Sequence, residues 1–164
     1  YFSDTEGQKG IVPSVKKALL EGFTKGSLSI SDGDTLRLGL DVSEANKFHQ
    51  KNEATTSLVT TNIPPPDAFS LHGVRVDESG NFVEILRPPR PIDSDILTMS
   101  GMIIISQRVT DLIKTTQREK NWEDLIQLLE STGNIQAYQG NFVYRNLNTL
   151  EAIDEAERLI KNEN

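Results

Sequence analysis

The stretch Leu28-Ser29-Ile30-Ser31-Asp32-Gly33-Asp34-Thr35 runs from a short apolar segment straight into two acids flanking a glycine. Its first four residues read as a strand. A strand ending in acid-glycine-acid puts carboxylates at the carboxyl edge of a sheet, where open α/β folds bind ligands. Gly33 lets a ligand approach the backbone closely, and hard oxygen donors of this kind suit magnesium carrying triphosphate oxygens. The same residues also suit a plain strand-ending turn, because Asp-Gly is ordinary turn chemistry. Alone, the octet does not choose between the two.

Working outward, Val12, Val15, Leu19 and Phe23 follow helical spacing, with Pro13 suited to a first turn and Gly26 marking the exit. Downstream, Ser43 to Lys51 reads as a short polar helix. Thr55 to Thr61 reads as a β-branched strand stopped by Ile63-Pro64-Pro65-Pro66. Ser70 to Val76 and Asn81 to Ile85 form a predicted hairpin around Asp77-Glu78-Ser79-Gly80. Arg87-Pro88-Pro89-Arg90-Pro91 lies between strands and reads as an ordered loop rather than a linker. Ile96 to Ile105 is a long strand interrupted at Ser100-Gly101. Helices over Val109 to Thr116 and Trp122 to Glu130 follow, the second capped by Asn121.

Short strands at Ile135 to Tyr138 and Phe142 to Tyr144 precede the last helix. Asn148 is its predicted cap, with Glu151 completing a capping box. Leu150, Ile153, Ala156 and Ile160 then define its apolar face. Strands and helices alternate at both ends around a β-rich middle, which predicts one α/β domain over residues 1–164 with an inserted hairpin.

Composition narrows the functions. The 164 residues can bury roughly 70% of the surface they expose when unfolded. Mean hydropathy is -0.40, and the longest apolar run, Met102 to Ile105, is far short of the ~20 residues a bilayer span needs. A net charge of -7 argues against nucleic acid held through its backbone, which needs a clustered basic face. Small phosphorylated ligands stay open, because magnesium can stand between carboxylates and phosphates. With no cysteine, disulfides, thiol catalysis and thiolate metal sites are excluded. The start lacks the basic and apolar regions of a signal peptide, so a cytoplasmic location is the default expectation.

A second candidate segment is Gly140-Asn141-Phe142-Val143-Tyr144-Arg145-Asn146-Leu147-Asn148-Thr149-Leu150-Glu151. A strand, a tight connection and a capped helix account for most of it. They leave Asn146, just before the cap, which could turn an amide oxygen towards a metal.

Taken together, the order of these segments resembles the nucleotidyltransferases, such as sugar-1-phosphate nucleotidylyltransferases and the molybdopterin guanylyltransferase-like group. Gly33-Asp34 matches the family's strand-ending Gly-Asp, and Asp77-Glu78-Ser79-Gly80 its Asp-x-x-Gly turn. Leu86-Arg87-Pro88 stands where the family has a Glu-Lys-Pro-like segment, and Gly101-Met102-Ile103-Ile104-Ile105 matches the glycine-led strand facing the sugar. Asn146-Leu147-Asn148-Thr149-Leu150-Glu151 is similar to the Asn-x-Asn-Thr-Pro-Glu-Asp ending. The resemblance implies a Rossmann-like, glycosyltransferase-A-like mixed sheet.

It also implies a magnesium ion held by Asp34 and Asn146, with Asp34 the catalytic metal ligand. Gly7, Gln8, Lys9, Gly10, Asp32 and Gly33 would form the nucleotide side, and Arg87 and Gly101 the acceptor side. The implied partners are a nucleoside triphosphate and a phosphorylated small molecule, and a homo-oligomer is compatible with them.

The sequence departs from the family in three places. Its glycine-rich triphosphate loop is not found here, so the chain is expected to begin after it, near Gly7 to Gly10, and to be inactive alone. Leu86 replaces the family's glutamate, and Leu150 the usual proline. Three rival readings follow: a nucleotide-sugar-dependent glycosyltransferase using Asp32-Gly33-Asp34, a catalytically dead binding domain of the same fold, and an oligomerisation domain without a ligand. His49 and His72, on different elements, do not form a metal pair. Arg90 reads as part of a solvated loop, and Trp122, Leu125, Ile126 and Leu129 as core.

Overall fold

A computed structural model describes residues 11–22, 26–116 and 122–162; for 11–14, 122, 123 and 162 the description covers the backbone. Gly7, Gln8, Lys9, Gly10, Phe23 and Asn121, and the side chains of Val12, Pro13 and Trp122, therefore lie outside the described residues.

The elements run α1 (Ile11–Glu21), β1 (Leu28–Ser31), β2 (Thr35–Leu38), α2 (Val42–Lys51), β3 (Thr56–Thr61), β4 (Gly73–Val76) and β5 (Phe82–Leu86). Then come β6 (Ile96–Ile105), α3 (Gln107–Thr115), α4 (Trp122–Glu130), β7 (Ile135–Gly140), β8 (Val143–Asn146) and α5 (Leu150–Asn162). A mixed six-stranded sheet carries the order β5-β4-β6-β3-β7, with β1 also on β6. Among the described strands of this sheet, only β3 and β7 pair in parallel. No helix among the described residues is long and apolar enough to cross a membrane.

The middle of the sheet is covered on both sides, and all six residues of β3 are buried. Alternation along the strand sends Leu58 to one face and Val59 to the other. On Leu58's side, Ile103, Ile105, Val109, Ile113, Leu125, Ile126 and Leu129 build the main core with α1, α3 and α4. Each such fully buried aliphatic contributes roughly 1.5–3 kcal/mol. On Val59's side, Ala45, Met102, Ile104, Phe142 and Tyr144 form a smaller cluster. It packs α2 and a second, two-stranded sheet, β2-β8, against the first.

Strand β6 does two jobs along one edge. Ile96–Thr98 pair with β4, and Met102–Ile105 pair with β1. Between them its register against β3 slips, because Val59 faces Met102 while Thr60 faces Met99. Ser100 and Gly101 fill the resulting bulge. The Ser100 hydroxyl pins it by donating to the Val59 carbonyl at 2.7 Å.

The expected hairpin is present. The Asp77 carboxylate accepts from the amides of Ser79 (2.9 Å) and Asn81 (2.8 Å), and Gly80 turns at φ 81°. Several expectations need correction. Thr35–Leu38, to which the sequence reading assigns no element, is a strand, because its partner β8 arrives from the far end of the chain. Arg90 is not solvated: it is 6% exposed and donates to the Leu71 carbonyl, the Pro91 carbonyl and the Thr98 hydroxyl.

The cap of α5 is Thr149, whose hydroxyl accepts from the Ala152 amide at 3.2 Å, so Asn148 and Glu151 do not form a capping box. The apolar face of α5 is also mostly uncovered. Ala156 is 4% exposed, but Leu150, Ile153 and Ile160 are 78%, 40% and 43% exposed.

Candidate functional site

The site forms where β1 leaves the sheet. One residue past the strand, the Asp32 amide donates to the Gly101 carbonyl at 2.9 Å, which ties the acid-glycine-acid turn to the bulge of β6. Gly101 sits at φ 66°, and a Cβ there would run into the Asp32 carboxylate, with Arg37 Nη2 only 3.2 Å away. Gly101 thus gives the Asp32 carboxylate its seat. The hydroxyls of Ser31 (3.1 Å) and Thr35 (3.2 Å) both donate to the Asp32 carbonyl and close the turn.

From the turn the chain enters β2, which runs antiparallel to β8. Thr35 faces Asn146, and Arg37 faces Tyr144. The Leu147 amide extends the ladder by donating to the Asp34 carbonyl at 2.8 Å. Asp34 and Asn146, at opposite ends of the sequence, are therefore backbone neighbours. Period-two alternation puts Thr35, Arg37, Tyr144 and Asn146 on one face of this ribbon. Arg37 Nε reaches from it to the Ser100 carbonyl at 2.7 Å.

Four buried side-chain polar atoms lack a hydrogen-bond partner among the described residues, and two of them, Arg37 Nη2 and Asn146 Oδ1, belong to this ribbon. The other two are hydroxyls, on Thr56 and Ser106.

The charges are coupled. Burial, and then the neighbouring Asp34, raise the Asp32 carboxyl above its ordinary range, while Arg37 pulls it down. Burial pushes the Tyr144 phenol up to about 12, aided by Asp32, Asp67 and Asp34 and opposed by Arg37. It stays protonated at neutral pH and can donate a hydrogen bond. Burial lowers the Arg37 guanidinium's pKa, and Tyr144, Asp32 and Asp34 offset part of this.

The expected residues divide accordingly. Asp32, Gly33, Asp34, Gly101 and Asn146 come together at one corner. Arg87 does not join them: it follows β5, two strands from β6, where its guanidinium lies 3.9 Å from Glu130 of α4. Gly7, Gln8, Lys9 and Gly10 are outside the described residues. Arg37, Tyr144 and Asp67 were not foreseen. The polar-apolar alternation of Thr35-Leu36-Arg37-Leu38 is the one local signal, and it puts Thr35 and Arg37 on one face without naming their partner strand. His49 is 2% exposed and its Nδ1 lies 2.9 Å from the Ser57 hydroxyl, so it is a packing residue.

No group of three or more His, Cys, Asp or Glu residues able to hold a metal occurs among the described residues. A site of Asp34 and Asn146 supplies two oxygen donors. That fits magnesium, which keeps several waters and takes substrate phosphates rather than a full protein cage. The unsatisfied amide oxygen of Asn146 is the kind of atom such an ion would use.

The sheet, the bulged strand and the ribbon together make the fold of the sugar-1-phosphate nucleotidyltransferases. UDP-glucose pyrophosphorylase complexed with UDP-glucose is similar with a TM-score of 0.73 at 13% identity, over 100% of this chain and 66% of that one. HddC from Yersinia pseudotuberculosis complexed with GMP-PN is similar at 0.71 and 16%, over 94% and 64%. A Bacillus anthracis protein assigned as a glucose-1-phosphate thymidylyltransferase, in complex with sucrose, is similar at 0.70 and 14%, over 96% and 62%. At such identities the likeness establishes the fold, and the chain spans about two thirds or less of each neighbour's length. No protein-family model matches the sequence, and no curated protein matches it.

Proposed function

We propose that this chain carries the metal and acceptor side of a magnesium-dependent nucleotidyl-transfer site. The reaction joins a nucleoside monophosphate from a triphosphate to a phosphorylated acceptor, a sugar 1-phosphate. The observation that supports it is the β2-β8 ribbon, which sets Asp34 beside Asn146 and leaves the Asn146 amide oxygen unsatisfied.

In the reaction, an acceptor phosphate oxygen attacks the α-phosphorus, the bond from that phosphorus to the bridging oxygen breaks, and pyrophosphate leaves. No protein nucleophile is required, in keeping with a sequence without cysteine. Magnesium, held by Asp34 and Asn146, would neutralise phosphate charge and align the attacking and leaving oxygens. Asp34 is exposed at the turn and free to reach a ligand, whereas Asp32 is held against Gly101. Gly33 has nothing within 4 Å of where a Cβ would sit, so a nucleotide can come close to the backbone there. The triphosphate cradle belongs to a glycine-rich loop not found in this sequence, and turnover is expected only when such a loop is supplied.

A glycosyltransferase would use both acids of Asp32-Gly33-Asp34 on one metal. The seating of Asp32 against Gly101 favours transfer from a triphosphate instead.

A thermal-shift panel of nucleoside triphosphates and nucleotide sugars, with and without magnesium, tests the reading on this chain and on Asp34→Ala. A magnesium-dependent rise in melting temperature that Asp34→Ala abolishes supports it. Ligand at 100 times its Kd stabilises by about 2.7 kcal/mol, which is readily seen. Equal shifts in both proteins, or none in either, would sink a metal-nucleotide site at Asp34. Product analysis then separates pyrophosphate release from release of a nucleoside diphosphate.

A further inference from the structure

We propose that Arg37 binds a phosphoryl oxygen of the ligand, in the place expected of Arg87. The proposal rests on the reading above and assigns it a positive side chain. Arg37 is built into the site from two directions. Its backbone is fixed in register against Tyr144, and its Nε is committed to the Ser100 carbonyl at 2.7 Å. The guanidinium cannot swing away as a surface arginine can.

Of the two remaining nitrogens, Nη2 is buried and without a hydrogen-bond partner among the described residues. A buried donor left unmade costs about 1–3 kcal/mol, and more on a charged group. Asp32 is close, since both its carboxylate and Nη2 crowd the Cβ position of Gly101, yet Nη2 donates no hydrogen bond to it. Such a donor is suited to an oxygen that arrives with a ligand.

Charge says which oxygen. Among the described residues, the groups acting on Tyr144 are three carboxylates, Asp32, Asp67 and Asp34, and one cation, Arg37. A phosphorylated ligand entering this corner meets repulsion from all but one of them, and a metal ion offsets only part of that. With Nε already taken, Nη2 can make a charge-assisted contact to such an oxygen. A phosphate on the nucleotide and a phosphate on the acceptor present the same chemistry to it, so the test separates them. In the ligand-free chain Nη2 is covered, and a neighbouring side chain must move for the oxygen to reach it.

Binding is measured by calorimetry with magnesium for UTP and glucose 1-phosphate, and for uridine and glucose as phosphate-free controls. The proteins are the wild type, Arg37→Gln, Arg37→Lys and Asp34→Ala. Arg37→Gln is expected to lose 10-fold or more in affinity for UTP, glucose 1-phosphate or both, with a shallower dependence on salt. Arg37→Lys keeps the charge and recovers part of the affinity. A loss for UTP alone assigns the contact to the nucleotide, and for glucose 1-phosphate alone to the acceptor.

Unchanged affinity and salt dependence in Arg37→Gln, while Asp34→Ala loses binding, overturns the role of Arg37 and leaves the nucleotide site standing. A loss shared equally with the phosphate-free probes makes Arg37 structural and overturns it too. Failure of the wild type to bind any phosphorylated probe overturns both readings.

Discussion

Two glycines of the site carry different burdens. Gly101 holds a left-handed φ of 66°, and its missing side chain leaves the space that the Asp32 carboxylate fills. Gly33 is exposed with open space around it. Gly101→Ala should therefore cost at least about 2 kcal/mol, from backbone strain plus a displaced carboxylate. Gly33→Ala should stay within about 0.5 kcal/mol. Urea unfolding of the two variants measures the contrast, and equal losses would refute it.

At this scale the sequence was informative about the acids and silent about their partners. Asp32-Gly33-Asp34 is visible as a unit because its residues are contiguous. Arg37 is three residues further on, but its importance comes from Ser100 and Tyr144, and neither contact leaves a local trace.

Among the elements, most helices and strands are where periodicity puts them, and the exceptions share a cause. β2 is four residues long and half-buried; its Thr-Leu-Arg-Leu alternation is too short to announce a strand by itself, and it exists through pairing with β8. The cap of α5 was misplaced by one residue because Asn148 and Thr149 are both good caps, and only the observed backbone path chooses. Thr149→Ala should then destabilise by about 1 kcal/mol and Asn148→Ala by a few tenths, judged by thermal melts of both. The reverse order would restore Asn148 as the cap. The apolar spacing of α5 predicts a face, but spacing cannot say what covers it, and of this one only Ala156 is buried, with Leu150, Ile153 and Ile160 exposed.

For the whole molecule, the contact between α2 and β3 makes stability depend on pH. His49 is buried against Ser57, and burial lowers its pKa below 6.5. Above that value both folded and unfolded chains hold a neutral imidazole, and this contribution to stability is complete. As pH falls below 6.5, the unfolded chain takes up a proton that the folded one resists, so stability declines. The slope from one such group is at most about 1.4 kcal/mol per pH unit. Denaturant melts at pH 7.5 and 5.5 should show the wild type losing more than His49→Gln, and parallel losses would remove His49 as the cause.

The bulged strand β6 has a consequence for how such a protein can diversify. Its first three residues carry the hairpin and its last four carry β1, with Ser100 and Gly101 as the joint between them. Residues inserted at the exposed 77–79 stretch would lengthen a hairpin whose β4 pairs with Ile96–Thr98 and whose Gly80 carbonyl accepts from Gln139 of β7. The corner holding Asp34 hangs from the other end of the strand. One continuous strand thus acts as a splice, behind which new specificity can be grafted while the acid corner keeps its geometry.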